Sequence, residues 1–185
     1  MKKLTLSIVA AASVLIPVGA SAFGIGFYYV PSIPLNDVEP LGAETYELSP
    51  CFSGFGVKFW KHFHPMVAIE CYGGYSPSYV SDNGDEGKFK LGTGAFGVRF
   101  GKPMGVVEPY GSVGIGVYYR DIEFRGATSA LEEKGAKAGV YFGGGVAVDL
   151  AGPLRFDINP VYLYVPSMMQ SYNFFDIRTG MALMI

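Results

Sequence analysis

Charge is what this sequence has least of: Asp, Glu, Lys and Arg make up 16% of its 185 residues, against roughly a quarter in ordinary soluble domains. The formal net charge is −2, so no basic excess points to nucleic acid. Two cysteines are too few for a disulfide-built scaffold. Beyond the N-terminus no apolar run approaches the roughly 20 residues a spanning helix needs, and helical periodicity is almost absent. Disorder, collagen, coiled coil and helical membrane protein are all disfavoured. What is abundant is glycine, with 26 residues, together with 13 Tyr and 14 Phe. Half the residues are hydrophobic, but they are spread thinly. The chain reads as one β-rich domain whose surrounding solvent has to be decided.

The N-terminus bears on the compartment. Lys2 and Lys3 form a basic start, Leu4 to Val18 is mostly apolar, and Ala20-Ser21-Ala22 is a small-residue cleavage site. Residues 1–22 therefore read as a secretory signal peptide, with cleavage marked by Ala20 and Ala22. A transmembrane anchor is disfavoured because the run is short and Pro17 interrupts it. Residues 23–185 form the remaining domain, and without Lys2 and Lys3 its 12 basic residues face 16 acidic ones, a net charge of −4.

Along that domain, segments of alternating side-chain character are separated by Gly or Pro. Eight are expected, near residues 23–30, 51–60, 66–79, 88–100, 106–121, 137–150, 154–165 and 172–185. Connections at 61–65, 101–105 and 151–153 are tight, whereas those at 31–50, 80–87, 122–136 and 166–171 are longer and more polar. Ser129 to Lys134 is expected to form one helical turn. An even strand number with short turns at one end and long loops at the other fits an all-β, eight-stranded antiparallel up-and-down transmembrane β-barrel, with short periplasmic turns and longer extracellular loops.

One face of every strand is apolar, for example Ile25, Phe27 and Tyr29, or Val113, Ile115 and Val117. The other face carries glycines, five tyrosines (Tyr28, Tyr72, Tyr110, Tyr118, Tyr141) and nearly all the strand charges. A soluble barrel would also alternate. Its wet face, however, should be dense in Lys, Glu, Thr and Ser, and this one is not. The charges also pair by sign around the tight turns, Lys58 with Glu70, Arg99 with Glu108, and Asp149 with Arg155. The second pairing leaves Lys102-Pro103-Met104-Gly105 as a four-residue turn. Asp157, Asp176 and Arg178 add to the same face, so four cations meet five anions. Charges inside a membrane-embedded lumen persist only when paired, and this set nearly balances. Phe59, Trp60 and Phe63 at one end, and Tyr75, Tyr79, Tyr119, Tyr162, Tyr164 and Tyr172 at the other, are placed as two interfacial girdles.

The signal peptide, the strand from Val107 to Tyr119 and the closing segment Phe175 to Ile185 resemble the small outer-membrane β-barrels of Gram-negative bacteria, the superfamily of OmpA membrane domains, OmpX, OmpW and opacity-type porins. The resemblance implies outer-membrane lipid and lipopolysaccharide as surroundings, and recognition by the barrel-assembly machinery during biogenesis through Ile177, Thr179, Met181, Leu183 and Ile185. That terminal strand departs from the family's usual Phe by ending in Ile185. The resemblance is good for fold and poor for activity.

Motifs for chemistry are weak. Gly92 to Gly97 matches a G-x-G-x-x-G string but continues into a strand rather than a helix. His62 and His64 read as a polar turn, and Ser112 lies within a strand. The barrel lipid A deacylases and palmitoyl transferases use His with Ser at the outer leaflet, whereas both histidines here lie at the other end. No enzyme activity, cofactor, metal or nucleic-acid partner is expected. No Cys51–Cys71 bridge is expected either, because the Lys58–Glu70 register puts Cys71 opposite Val57, far from Cys51. Three functions stand open. They are a structural or surface-interaction barrel with a filled lumen and an extracellular partner on its loops, a narrow channel or path for small or hydrophobic molecules, and a soluble periplasmic ligand-binding barrel.

Overall fold

The structure, a computed structural model, describes residues 23–36, 47–82, 85–125, 130–166 and 172–185. The expected signal peptide, with Ala20 and Ala22, lies outside the described residues. Five long strands make up most of the wall: β5 (Val67–Asp82), β6 (Asp85–Gly101), β7 (Val107–Arg125), β8 (Ala130–Asp149) and β10 (Tyr172–Met184). Between β8 and β10 runs β9 (Leu154–Val165). The first stave is split into β1 (Phe23–Tyr29) and β2 (Ser32–Pro34), which follow β10 in one register on either side of Pro31. The second is β4 (Phe55–His64), extended along β5 by β3 (Glu47–Leu48). Neighbouring staves are antiparallel throughout, and β1 pairs with β10, so eight staves close into a barrel.

Two of the connections expected to be long are hairpin extensions instead. Strand pairing between β5 and β6 continues to Asp82↔Asp85, and between β7 and β8 to Arg125↔Ala130. Ala130 to Lys134 is therefore strand, where one helical turn was expected. A lone turn cannot offset the cost of helix nucleation, whereas extension of the hairpin places Lys134 across from Asp121.

Two of the three tight hairpins correct the registers inferred from charge. Lys58 lies opposite Tyr72, and Glu70 opposite Trp60, with a bulge between His62 and His64. Arg99 lies opposite Ser112, and the turn narrows to Met104↔Val107 around Gly105, rather than spanning Lys102 to Gly105. Gly105 has φ +69°, a conformation that favours glycine. The turns set the register, and the long Lys and Arg side chains reach their partners diagonally across the sheet. Only Asp149↔Arg155 pairs directly. Cys71 lies opposite Phe59, not Val57; both thiols are free, with Cys51 buried and Cys71 half-buried on the outer face.

The outer wall is apolar on every stave. Phe27, Ile115 and Phe142 are 64%, 66% and 55% exposed. A continuous apolar surface of this size is not viable in water, so the wall faces lipid. On β7 the outward residues stay uncharged from Val107 to Tyr119 and turn acidic at Asp121 and Glu123. Twelve steps along a tilted strand give a band about 30 Å high, the thickness of a bilayer's hydrocarbon core. Phe59, Phe63 and Phe100 lie exposed toward the tight turns, with Tyr79, Tyr119 and Tyr164 exposed toward the other end. Tyr172 lies on β10, but its side chain is outside the described residues. Trp60 is not in the girdle. It is 1% exposed and points into the barrel, because alternation from Lys58 turns it inward.

Inside, tyrosines lie across glycines. A Cβ at Gly56 or Gly74 would collide with the Tyr72 ring, one at Gly97 or Gly114 with Tyr141, and one at Gly145 with Tyr110. Bare backbone on neighbouring staves thus makes room for a ring, so small and large residues interlock to fill a narrow lumen.

If the wall lies in lipid, Val113→Arg, at mid-height, should destabilise the folded barrel by about 2–4 kcal/mol, and Tyr119→Arg, at the rim, by about 0–1 kcal/mol. Urea unfolding in phospholipid vesicles measures both; equal costs would remove the depth assignment.

Candidate functional site in the lumen

The inward faces of β4 to β10 bring the expected charged residues into one connected chain. At the tight-turn end, Asp149 accepts from Arg155 Nε at 2.6 Å, and Arg155 Nη1 reaches Glu108 at 2.7 Å. Glu108 Oε1 also accepts from Arg99, at 2.9 Å from Nη2 and 3.2 Å from Nε. Asp157, with no solvent exposure, is the hub. It takes Lys58 Nζ at 2.9 Å and the hydroxyls of Tyr28 and Tyr110 at 2.7 and 2.6 Å, with Arg99 at 3.8 Å. Lys58 lies 4.0 Å from Glu70, whose other oxygen accepts from the Tyr141 hydroxyl at 2.8 Å.

Aromatic faces complete the cage. Arg99 stacks 3.4 Å from the Tyr110 ring centre, and Lys58 and Arg99 approach Trp60 at 5.7 and 5.8 Å. Farther along, Arg178 is wholly buried, stacks 3.7 Å from the Tyr72 ring centre and lies 3.7 Å from Asp176. The Ser32 hydroxyl donates to Asp176 at 2.6 Å. Desolvated cations over ring faces are worth up to about 2 kcal/mol each, which helps hold Arg178 beside its long contact to Asp176.

One buried cation was missed from the sequence. Arg120 is 8% exposed and inward-facing on β7. With it, five buried cations, Lys58, Arg99, Arg120, Arg155 and Arg178, face four buried anions, Glu70, Glu108, Asp157 and Asp176, among the described residues, with Asp149 half-exposed at the mouth. Counting alternate residues on from Tyr118 would have found it.

A second missed feature lies beyond the charges. Phe89, Leu91, Ile122, Val161, Leu163, Val165 and Phe174 form a buried cluster with Tyr118 and Tyr141 inside the barrel. The upper lumen is therefore lined by apolar side chains around Arg120, where only glycine, tyrosine and charge were expected. A small cleft at its edge, lined by Ser32, Cys51, Ser76, Leu91 and Phe174 among others, has a volume of about 10 Å³, room for roughly one water.

The weak motifs are scattered. Gly92 to Gly97 sits within β6. Ser112 is buried opposite Arg99. His62 Nε2 lies 3.9 Å from Glu108, whereas His64 Nδ1 accepts from the Met66 amide at 3.2 Å. On β10, Ile177, Thr179, Met181 and Leu183 share the outer face, with Ile185 exposed just past its end, and this strand pairs with β9 and β1.

Comparison with solved structures places this geometry. The outer membrane protein OprG from Pseudomonas aeruginosa superposes with a TM-score of 0.65 at 13% identity, covering 90% of this chain and 96% of OprG. Neisserial surface protein A gives 0.62 at 11% identity, with 89% and 97% covered. The attachment invasion locus protein Ail of Yersinia pestis, in complex with the heparin analogue sucrose octasulfate, gives 0.56 at 15% identity, also with 89% and 97% covered. The fold is that of the small eight-stranded outer-membrane β-barrels. The apolar wall suits that membrane. No family model and no curated protein matches the sequence.

Asp157→Asn should leave Lys58 and Arg99 short of counter-charge and cost about 3–5 kcal/mol. Asp149→Asn, at the half-exposed mouth, should cost no more than about 1 kcal/mol. Parallel urea titrations of the two folded variants make the comparison, and a cheap Asp157→Asn would show that the hub is not held by charge.

Proposed function

We propose that this chain is an outer-membrane barrel with a structural or surface-interaction role, and that its charge-paired lumen conducts nothing. Residues 1–22 act as a signal peptide cleaved after Ala22, and the outward alternation of β10 is read by the barrel-assembly machinery. The observation that carries the non-conducting reading is the filling of the lumen in two unlike layers. Ions crossing the lower layer would have to separate Asp157 from Lys58, Tyr28 and Tyr110. Those crossing the upper layer would have to shed water among Phe89, Leu91, Leu163 and Phe174.

The surface role is supported by the β5–β6 and β7–β8 hairpins, which continue as sheet past the apolar band. On their outer face Lys90 and Lys134 each lie 3.7–3.8 Å from both Asp121 and Glu123. These lysines are already neutralised, which favours a protein partner of mixed charge over a polyanion such as the one held by Ail.

Purified protein in planar bilayers should be silent at voltages that open porins. Discrete single-channel steps from the wild-type protein would replace this reading with the narrow channel.

A further inference from the structure

The outer wall is not uniformly convex. At the tight-turn end, an open groove of about 600 Å³ runs along β5, β6 and β7, within the size range of small-molecule sites. Val67, Phe100 and Pro109 line it with apolar side chains, and Gly111 contributes bare backbone. Gly111 lies directly opposite Gly144 on β8, so the dent continues across two staves. None of these outward positions belongs to the lumen network.

The lower end of the groove is polar and positive. Lys102 is exposed and has no ion-pair partner among the described residues. His64 lines the same groove. Its Nδ1 accepts from the Met66 amide at 3.2 Å, so the ring proton sits on Nε2, leaving a donor for an incoming acceptor. An apolar trough ending in an ammonium and an oriented N–H, at the level where the wall leaves the hydrocarbon, matches an acyl chain joined to a phosphate.

We infer that this groove binds one anionic glycerophospholipid of the periplasmic leaflet, with its phosphate on Lys102 and His64 and an acyl chain lying over Phe100, Pro109 and Gly111. Charge complementarity selects the occupant, because the groove offers two donors and no carboxylate. A second copy of the chain would have to supply its own anion at that point. The inference rests on the outer-membrane reading and on the tight turns facing the periplasm, but not on whether the lumen conducts.

The wall supplies a clean test, because a Cβ at Gly111 would meet only the Gly143 carbonyl at 3.8 Å, and one at Gly94 would meet nothing within 4 Å. Gly111→Leu therefore fills the groove without disturbing the fold, and Gly94→Leu places the same bulk elsewhere on the wall. Native mass spectrometry of the full-length folded barrel, released from detergent containing dimyristoylphosphatidylglycerol or dimyristoylphosphatidylcholine, reads the bound lipid. The wild type and Gly94→Leu should retain one phosphatidylglycerol. Gly111→Leu and Lys102→Gln should each lower that retention about tenfold, as should exchange for the phosphatidylcholine. Equal retention by Gly111→Leu and Gly94→Leu, or equal retention of the two lipids, would overturn the site. So would a dimer mass that Gly111→Leu abolishes, since the groove would then belong to a second copy. Bilayer conductance of the wild type would overturn the filled-lumen reading and leave this one standing.

Discussion

Closure of the sheet is the constraint on which everything else depends. In hydrocarbon, no backbone N–H or C=O can be left without a partner, so β1 must meet β10 and the staves must form a ring. A ring of eight leaves an interior about as wide as side chains can fill. Side chains must therefore fill it, and they must do so from staves whose inward positions recur only every second residue. The tyrosines lying across glycines solve that problem of shape, and the ion pairs around Asp157 and Glu108 solve the problem of polarity.

The two solutions are coupled at Asp157. A carboxylate with no solvent exposure is unfavourable unless its charge and lone pairs are met. Here they are met by a lysine and by two tyrosines whose rings are themselves held against glycine backbone. The same tyrosines carry cations on their faces, as Tyr110 does for Arg99. Packing and electrostatics thus share the same side chains. The β8–β9 seam beside this hub shows the same economy. Direct pairing skips from Gly143↔Val161 to Val146↔Ile158 near Pro160, which has no N–H to give, and the buried Asn159 side chain donates to the Gly144 carbonyl instead.

Above the hub, the interior changes character. The apolar cluster around Leu163 and Phe174 makes the outer half of the lumen resemble the core of a soluble sandwich, and it stands under hairpins that continue past the lipid band. A core at that level gives the protruding sheet a firm base. Along β5 to β8 the outer side is consequently a platform of paired strands with balanced charges, rather than the free loops that the polar connections at 80–87 and 122–136 imply.

Much of this was legible in the residues alone, because alternation is a local property: successive side chains of a strand point to opposite faces whatever the rest of the chain does. The eight staves, the tight and long ends, the apolar wall from Ile25 to Ile185 and the inward tyrosines all follow from it, as Arg120 and Trp60 would have if parity had been applied strictly. What only the tertiary structure decided is which inward residues meet. Turn geometry at Gly105 and the bulge after His62 shift the staves, so Arg99 reaches Glu108 diagonally and Lys58 turns to Asp157, 99 residues away in sequence. The apolar upper lumen and the groove over Gly111 are likewise products of closure. Both depend on how far each stave is displaced along its neighbour, a quantity that no single strand encodes.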